Sequence, residues 1–414
     1  MKVAGYLPVV GFKSEVEMGT LFPSLLNGKV SMKNESNKAL FLLIGASLVA
    51  ASIAFAQEHS AAPLPDVLVF INGDQLTGTL VRGVGDSILF KSDMAGEVTV
   101  PLAKVKELRS QGKFAVLKKD TPVTRGQIHP GPVVMTKGDV IVTSPVGGPQ
   151  QIPVKDVAYI LDESTFNREV EGTPGFFAGW NGALTAGATF LQSTQHGGTF
   201  NAGLNLARMV PTVAFLRTRN RTLLSVNETY GKLTTPVIPQ TLPAASDSVV
   251  KTNMFHGVVE RDQYFAKRFY ALAAVGFDHN YAQGLQLQSV YGVGIGWTAI
   301  GSARQQLDVT ADLHYEKQQF QDSTNNANLI GSTFAETYRR TLPRKLLFTE
   351  NSSVLPAWNK LDAYSANASA NLALPLFKRL SLSVGSSDSF LNNPSVGCRR
   401  NSFQFLTGIT YSLR

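Results

Sequence analysis

Residues 307–316 of this chain read LDVTADLHYE, a stretch in which apolar and polar side chains alternate without a break. The odd positions are apolar or aromatic: Leu307, Val309, Ala311, Leu313 and Tyr315. The even positions are polar: Asp308, Thr310, Asp312, His314 and Glu316. Successive side chains of a β-strand point to opposite faces, so the stretch predicts a strand with one oily face and one polar face. It also has the roughly ten residues that a tilted membrane strand requires.

Segments of the same alternating texture continue through residues 176–414, and we count about twelve of them. Their connections differ in length in a regular way. Very short ones, such as 209–212 and 265–267, alternate with longer polar ones, such as 232–248 and 320–328. Short periplasmic turns and long outer loops are typical of outer-membrane barrels. The predicted fold class is therefore all-β, with a transmembrane antiparallel β-barrel of about twelve strands.

The region before the barrel, residues 66–162, contains an internal repeat. Residues 152–160 (IPVKDVAYI) match residues 100–108 (VPLAKVKEL) in apolar pattern and in the position of proline. The turn at 137–139 echoes the turn at 72–74, and glycine in each supplies the positive φ that a hairpin needs. The repeat predicts a small periplasmic domain of two SH3-like β units.

Three further segments lie outside these two regions. Residues 32–56 combine two lysines, an apolar run and small residues before Gln57, so they predict a signal peptide cleaved between Ala56 and Gln57. The run is short for a spanning helix, which is the alternative. Residues 1–31 are then expected to be an extension upstream of the true start. Residues 163–175 are polar and predict a linker between the β domain and the barrel.

Composition restricts the class of protein further. The chain has 414 residues, 43% of them hydrophobic, only 16% charged, and 36 glycines, which suits many strands better than long surface helices. Its single cysteine excludes an internal disulfide framework and a multi-thiolate zinc site. Removing the five lysines and three acidic residues of 1–56 from the 38 and 30 leaves 33 and 27, a net charge of +6. That balance makes no case for nucleic acid.

Several short motifs carry a family resemblance. They are Asn72-Gly73-Asp74 with Leu76-Thr77-Gly78, Trp180-Asn181-Gly182 at the opening of the barrel, and Pro394 to Gly397 ahead of Gly408-Ile409-Thr410-Tyr411. On these the chain resembles the YdiY-like family, a domain-of-unknown-function family described as salt-induced outer-membrane proteins. The resemblance spans most of residues 66–414. It implies a location in the outer membrane, with the N-terminal domain in the periplasm, and no established chemistry.

Candidate site residues fall on the predicted inner face of the barrel. Arg217, Arg219 and Arg221 are spaced two apart, which predicts a basic stripe on one strand that would draw anionic solutes through a pore. The interpretation that we favour over this stripe is that the arginines pair with inward carboxylates and fill the interior. The carboxylates considered are Asp308, Asp312, Glu316 and Glu336.

An enzyme is not expected. His256, His279 and His314 could serve a lipid hydrolase, but the sequence has no nucleophile elbow, metal-ligand spacing or phosphate-cradling loop. No cofactor or metal is expected, and Cys398 beside Arg399 and Arg400 is read as an incidental thiol. We expect a barrel with a structural or envelope-stress role, and a narrow passive pore for small solutes is the activity considered for it; the alternative is a periplasmic binding module anchored by the barrel. The expected partners are outer-membrane lipid, the barrel-assembly machinery and, if the β domain is a binding module, a periplasmic protein.

Overall fold

The computed structural model describes residues 65–119, 121, 126–136, 138–146, 148–192, 196–235 and 248–413. The predicted signal peptide, its cleavage between Ala56 and Gln57, and the predicted upstream extension lie outside these residues. No helix in the described ranges is long and apolar enough to cross a membrane.

The N-terminal β domain is one sheet of nine strands. They are β1 Asp66–Phe70, β2 Gln75–Val84, β3 Ser87–Ser92, β4 Gly96–Pro101, β5 Val105–Lys118, β6 Gly131–Thr136, β7 Asp139–Ser144, β8 Gly148–Pro153 and β9 Val157–Asp162. The order of the first eight is β4-β3-β2-β1-β5-β6-β7-β8, and β9 pairs with both β2 and β5. Antiparallel pairing of β9 on both sides curls the sheet towards a barrel.

The internal repeat is visible in the structure. Strands β3 and β4 lead through a short 3-10 turn, Leu102–Lys104, into β5, and β7 and β8 lead through Val154–Asp156 into β9. The turn at Gly138 joins β6 to β7, and in the first copy the equivalent β2–β3 turn holds Gly85 rather than Gly73. Both copies bury their apolar faces in a single core, which includes Leu68, Phe90, Val140 and Ile160. The two copies are therefore halves of one folded body.

The predicted linker is helical. Helix α1 spans Glu163–Phe166 and runs directly into a π-helical turn, Asn167–Glu171. Asp162 caps α1 by accepting a hydrogen bond from the Thr165 N–H at 2.9 Å. Phe166 is fully buried against strands of the β domain. The polar composition of 163–175 indicated a linker, and in the structure its apolar Phe166 and Val170 pack in a cluster with strands of the β domain.

The C-terminal region is a closed barrel of twelve antiparallel strands, which confirms the predicted fold class. The strands are β10 Trp180–Gln192, β11 His196–Val210, β12 Asn220–Thr235, β13 Ser248–Tyr264, β14 Phe269–Asn280, β15 Leu285–Gly301, β16 Gln305–Phe320, β17 Ala327–Thr341, β18 Leu347–Pro356, β19 Tyr364–Pro375, β20 Leu380–Leu391 and β21 Asn401–Ser412. Each strand pairs with the next, and β21 returns to β10. Three of the connections contain a short 3-10 turn, at Tyr281–Gln283, Ser323–Asn325 and Pro343–Lys345.

One connection differs from the sequence prediction. The link between β11 and β12 was expected to be a short turn at 209–212, but it runs from residue 211 to residue 219. Leu216 in this link is buried together with Phe166 and with Leu117 and Leu161 of the β domain, and Val213 packs against the same cluster. The link is long because it carries apolar side chains that dock the β domain. We call this end of the barrel the domain-side rim, and the other end the opposite rim.

Candidate functional site

The two faces of the barrel wall can be assigned from contacts across the interior. Arg221 on β12 reaches Asp308 on β16, and Gln404 on β21 contacts Met254 on β13. These side chains must point inward, and the register of each strand pair carries the assignment around the wall. The outward face then holds Val309, Leu313 and Tyr315, each well exposed. The alternation in LDVTADLHYE therefore has its polar side inside.

Arg221 is the centre of a buried polar network near the domain-side rim. Its Nε donates to Asp262 Oδ2 at 2.6 Å, and its Nη1 donates to Asp308 Oδ2 at 2.7 Å. Its Nη2 donates to the Tyr270 hydroxyl at 3.2 Å, and the guanidinium lies 5.1 Å from the centre of the Tyr270 ring. Charge-assisted hydrogen bonds of this kind are the strong ones, so Arg221 fastens β12 to β13, β14 and β16.

Asp308 is held from several sides. Thr298 donates to its Oδ1 at 2.6 Å, and Gln306 donates to its Oδ2 at 2.7 Å. Glu260 lies 4.0 Å from an Arg221 nitrogen, at the margin of the same network. Because the buried carboxylates are paired and hydrogen-bonded, the network can exist in the interior. Paired charges thus fill this part of the interior, which agrees with the pairing hypothesis and not with the basic stripe.

A second cluster lies farther along β16, towards the opposite rim. The His314 side chain is fully buried, with its Nδ1 3.2 Å from Asp312 Oδ1 and 3.0 Å from Thr333 Oγ1, and its Nε2 3.6 Å from Glu316 Oε2. Gln318 donates to Glu316 at 2.7 Å and accepts from Asn393 of the β20–β21 loop at 2.9 Å. Asp312 and Glu316 are therefore inward, as predicted, and are tied to a loop at the opposite rim.

Three glycines on β15 make room for these inward side chains. A Cβ on Gly296 would lie 2.1 Å from the Tyr270 ring, and one on Gly292 or Gly294 would lie within 3.0 Å of Asp312 side-chain atoms. The stretch GVGIGW therefore alternates glycine inside with apolar residues outside. The alternating glycines are visible in the sequence, but the side chains that need the space, Tyr270 and Asp312, lie on β14 and β16.

The predicted stripe of three arginines is not formed. Only Arg221 lies on a strand, because β12 begins at Asn220. Arg217 is exposed in the β11–β12 link. Arg219 turns back to the helical segment, where its guanidinium donates to Glu169 O at 2.7 Å and Val170 O at 3.0 Å. The stripe prediction was wrong because the link that docks the β domain takes the first two arginines out of the strand.

Glu336 was expected to face the interior but faces outward. It pairs in register with Val309 on the outer face of β16 and is exposed. Phe334 lies two residues away on the same face of β17 and is also exposed. This aromatic neighbour indicated in the sequence that the face is the outer one. Glu336 lies in the half of β17 nearer the domain-side rim.

The other side of the interior carries no charge. Inward positions of β18–β21 and of β10–β11 that the structure describes are occupied mostly by Ser, Thr, Asn, Gly and Ala. Four of these asparagines are exposed although they point inward: Asn205, Asn351, Asn367 and Asn371. The inward charged side chains instead lie on the wall from β12 to β17, where Arg339 of β17 is exposed near the domain-side rim. The interior thus has a tightly bonded charged wall and an accessible neutral wall.

Glu169 joins the helical segment to the barrel at the domain-side rim. Its carboxylate is fully buried and accepts from the Thr212 N–H at 2.7 Å, the Thr212 hydroxyl at 2.6 Å and Arg168 Nε at 2.9 Å. Burial alone raises the pKa of this carboxyl, but the hydrogen bonds from Arg168 and Thr212 outweigh it and hold the pKa below its usual range. Sequence reasoning missed this residue because it lay in the predicted linker.

The remaining candidates have ordinary partners. His256 Nδ1 lies 2.6 Å from Asp278 on the inner face, and His279 Nδ1 lies 2.7 Å from the Gln286 carbonyl on the outer face. Cys398 is a free, half-buried thiol in the β20–β21 loop. Within the described ranges, no three His, Cys, Asp or Glu side chains are grouped to hold a metal ion. Among the residues that the structure describes, neither His256 nor His279 is hydrogen-bonded to a serine hydroxyl.

Comparison with known proteins gives one match. A family model described as "protein of unknown function, DUF481" matches residues 184–413, from within β10 to just beyond the end of β21. A search of curated proteins found no match. The matched region coincides with the barrel and leaves the β domain outside it.

Proposed function

This chain belongs to the DUF481 family of proteins of unknown function, and on that premise we propose that it is an outer-membrane protein with a narrow passive pore for small uncharged polar solutes. DUF481 is the YdiY-like family that the sequence motifs indicate. The barrel crosses the membrane, its domain-side rim faces the periplasm, and the β domain lies in the periplasm.

The outer face of the barrel supports the membrane location. It carries exposed apolar residues along its strands, as lipid contact requires. Outward aromatic rings contact one another near both rims: Phe269 with Trp297 at the domain-side rim, and Tyr364 with Phe390 at the opposite rim. Such girdles are typical of the two membrane interfaces of a transmembrane barrel.

The pore is supported by one observation, the neutral wall with its exposed inward asparagines. Side chains that point into a closed barrel and remain exposed must face open space, and amides and hydroxyls hydrate it. Of the two inward arginines, Arg221 is paired with Asp262 and Asp308, and Arg339 lies on β17 near the domain-side rim, outside the neutral wall. A neutral hydrogen-bonding surface suits polyols and small sugars better than ions.

Liposome swelling tests the pore. The refolded full chain should accelerate the swelling of liposomes in an iso-osmotic solution of a small neutral sugar. Asn367→Trp, which places a large ring inside, should slow swelling severalfold. The matched control is Ala368→Trp, on the same strand with its side chain in lipid, and it should swell like wild type. Liposomes that do not swell with the wild-type protein would leave a structural or envelope-stress role.

A second candidate function, binding of a periplasmic partner, is favoured by two hairpin tips of the β domain. Met94 in the β3–β4 turn and Val146 in the β7–β8 turn occupy equivalent positions in the two copies and are 94% and 61% exposed. Exposed apolar side chains repeated in this way suit protein contact. A photo-crosslinker at Met94 should then capture a discrete envelope protein, whereas one at Glu97 should not; equal labelling from both positions would contradict it.

A further inference from the structure

The seam between the first and last barrel strands is only partly paired. Strand β10 pairs with β11 along its whole length, and β21 does the same with β20. Within the described residues, β10 and β21 pair with each other only from Ala183–Ala186 to Ile409–Ser412, near the domain-side rim. Beyond this, the parts of the two strands nearer the opposite rim carry no ladder between them.

Glycines mark the point where the paired part ends. A Cβ on Gly187 would lie 2.0 Å from the Thr407 carbonyl oxygen, and one on Gly408 would lie 2.6 Å from the Ala186 carbonyl oxygen. The two backbones are in close contact at this point. Farther on, from Gly187 to Gln192 on one side and from Asn401 to Thr407 on the other, the strand edges are unpaired.

The far end of β21 is fastened elsewhere. Asn280 of β14 donates to Ser402 at 3.3 Å, and Gln404 contacts Met254 of β13. Gln283, in the turn after β14, donates to Ser389 O at 3.0 Å and Arg400 O at 2.9 Å. The β20–β21 hairpin is thus drawn across the mouth of the barrel, away from β10. Backbone polar groups left unpaired in hydrocarbon are costly, so this gap should face water or a ligand.

A cavity of about 750 Å³ lies on the β21 side of the gap, lined in part by Asn401 to Gln404. Thr252, Met254 and Ala282 line one side of it, and residues 399–404 line the other. Arg399 and Arg400 are exposed at this site, and neither guanidinium has an ion pair among the described residues. The cavity therefore offers two free cations to an anion.

Aromatic side chains lie on the outward face at both edges of the gap. Phe190 on β10 is 85% exposed, and Phe403 and Phe405 on β21 are 65% and 66% exposed, all on the outward face. A ligand in the cavity would have its charge at the arginines and could extend an apolar tail between these rings into lipid. Such a ligand is an amphiphile with an anionic head group.

We propose that the gap between β10 and β21 is a lateral opening through which the cavity binds a single-chain amphiphile with a carboxylate head group. The carboxylate pairs with Arg399 and Arg400, and the acyl chain passes Phe190, Phe403 and Phe405 into the outer leaflet. The inference rests on the proposed membrane location but not on the proposed pore.

Binding is tested with the purified full chain in non-ionic detergent. Dansyl-labelled undecanoate should bind with a blue-shifted rise in fluorescence, dodecanoate should displace it, and dodecyltrimethylammonium should not. Arg399→Gln/Arg400→Gln should weaken the affinity at least about tenfold, because charge-assisted bonds are lost. The matched control is Lys378→Gln/Arg379→Gln, an exposed basic pair in the turn before β20 at the other rim, which should bind normally. Equal displacement by both detergents, or equal loss in both variants, would overturn the proposal.

The gap itself is tested by disulfides in a Cys398→Ser background. Ala186→Cys/Ile409→Cys joins outward positions that pair in register and should oxidise readily. Phe190→Cys/Phe405→Cys continues the same register across the gap and should not oxidise. Rapid oxidation of the second pair would show a closed seam and refute the lateral opening. Failure of dodecanoate binding with normal sugar swelling would refute this inference while leaving the pore intact.

Discussion

The guanidinium of Arg221 donates to the carboxylate of Asp308 at 2.7 Å, although the two residues lie on strands β12 and β16, four strands apart around the barrel wall. Both side chains are almost fully buried, and Asp262 shares the same guanidinium. The contact is therefore a tie across the interior rather than a pair between neighbouring strands. It holds the charged wall in place. Because Arg221 is buried and paired, a solute in the interior cannot contact its charge.

Replacing Arg221 by methionine should destabilise the barrel by about 3 to 5 kcal/mol, because two buried carboxylates lose their counter-charge. Urea unfolding in micelles, followed by tryptophan fluorescence, measures the change. Arg217→Met is the control, since Arg217 is exposed, and it should shift stability by less than about 0.5 kcal/mol. Equal stability of the Arg221 variant and wild type would contradict the structural role of the network.

Ion selectivity should be weakly cationic. The wall from β12 to β17 carries six inward carboxylates, Glu260, Asp262, Asp278, Asp308, Asp312 and Glu316, against two inward arginines, Arg221 and Arg339. The reversal potential in a salt gradient across a planar bilayer reports the preference. Arg217→Gln should leave it unchanged. A clear anion preference, lost in Arg217→Gln, would restore the basic-stripe hypothesis.

The junction between the helical segment and the barrel should weaken in acid. The folded-state pKa of Glu169 lies below its ordinary value of 4.5, so its contribution is present above that pH and is lost as the pH falls through the folded-state pKa. Glu169→Gln should remove about 2 kcal/mol from the junction at neutral pH and flatten this acid dependence. Proteolytic cleavage near Gly172, followed against pH, measures the opening.

The control for the junction is Glu163→Gln. Glu163 is partly exposed, and its ion pair with Lys113 at 3.6 Å is of the surface type. Its loss should change cleavage little at any pH. The same acid sensitivity in both variants would point to a general effect of charge and not to Glu169.

Gly296→Val should disrupt packing near the domain-side rim, because the new Cβ would meet the Tyr270 ring at 2.1 Å and displace it from Arg221. A cost of about 1 to 3 kcal/mol is expected from overpacking of this kind. Gly276→Ala is the matched control, since its Cβ would have its nearest neighbours at 3.9 Å. The temperature at which each variant loses the faster-migrating folded band on a gel compares their stabilities. Identical midpoints would contradict the close packing of Gly296 against Tyr270.

Sequence alternation determined most of the strands and their two faces, and together with the alternating connection lengths it predicted the barrel. Period-two patterns such as LDVTADLHYE are local, because each side chain's face follows from its own strand's parity. The repeat before the barrel was local too, since proline and the residues around it recur in the same order. Asp308, Asp312 and Glu316 were therefore placed correctly on the inner face.

Tertiary structure decided which charges are available and how much of the seam between β10 and β21 is paired. Arg217 and Arg219 leave the strand because Leu216 beside them is buried by the distant β domain, which no local pattern reports. The partial seam arises because Gln283 holds the β20–β21 hairpin across the mouth. Both features depend on contacts between residues far apart in the chain, and such contacts form only once the strands have closed into a barrel.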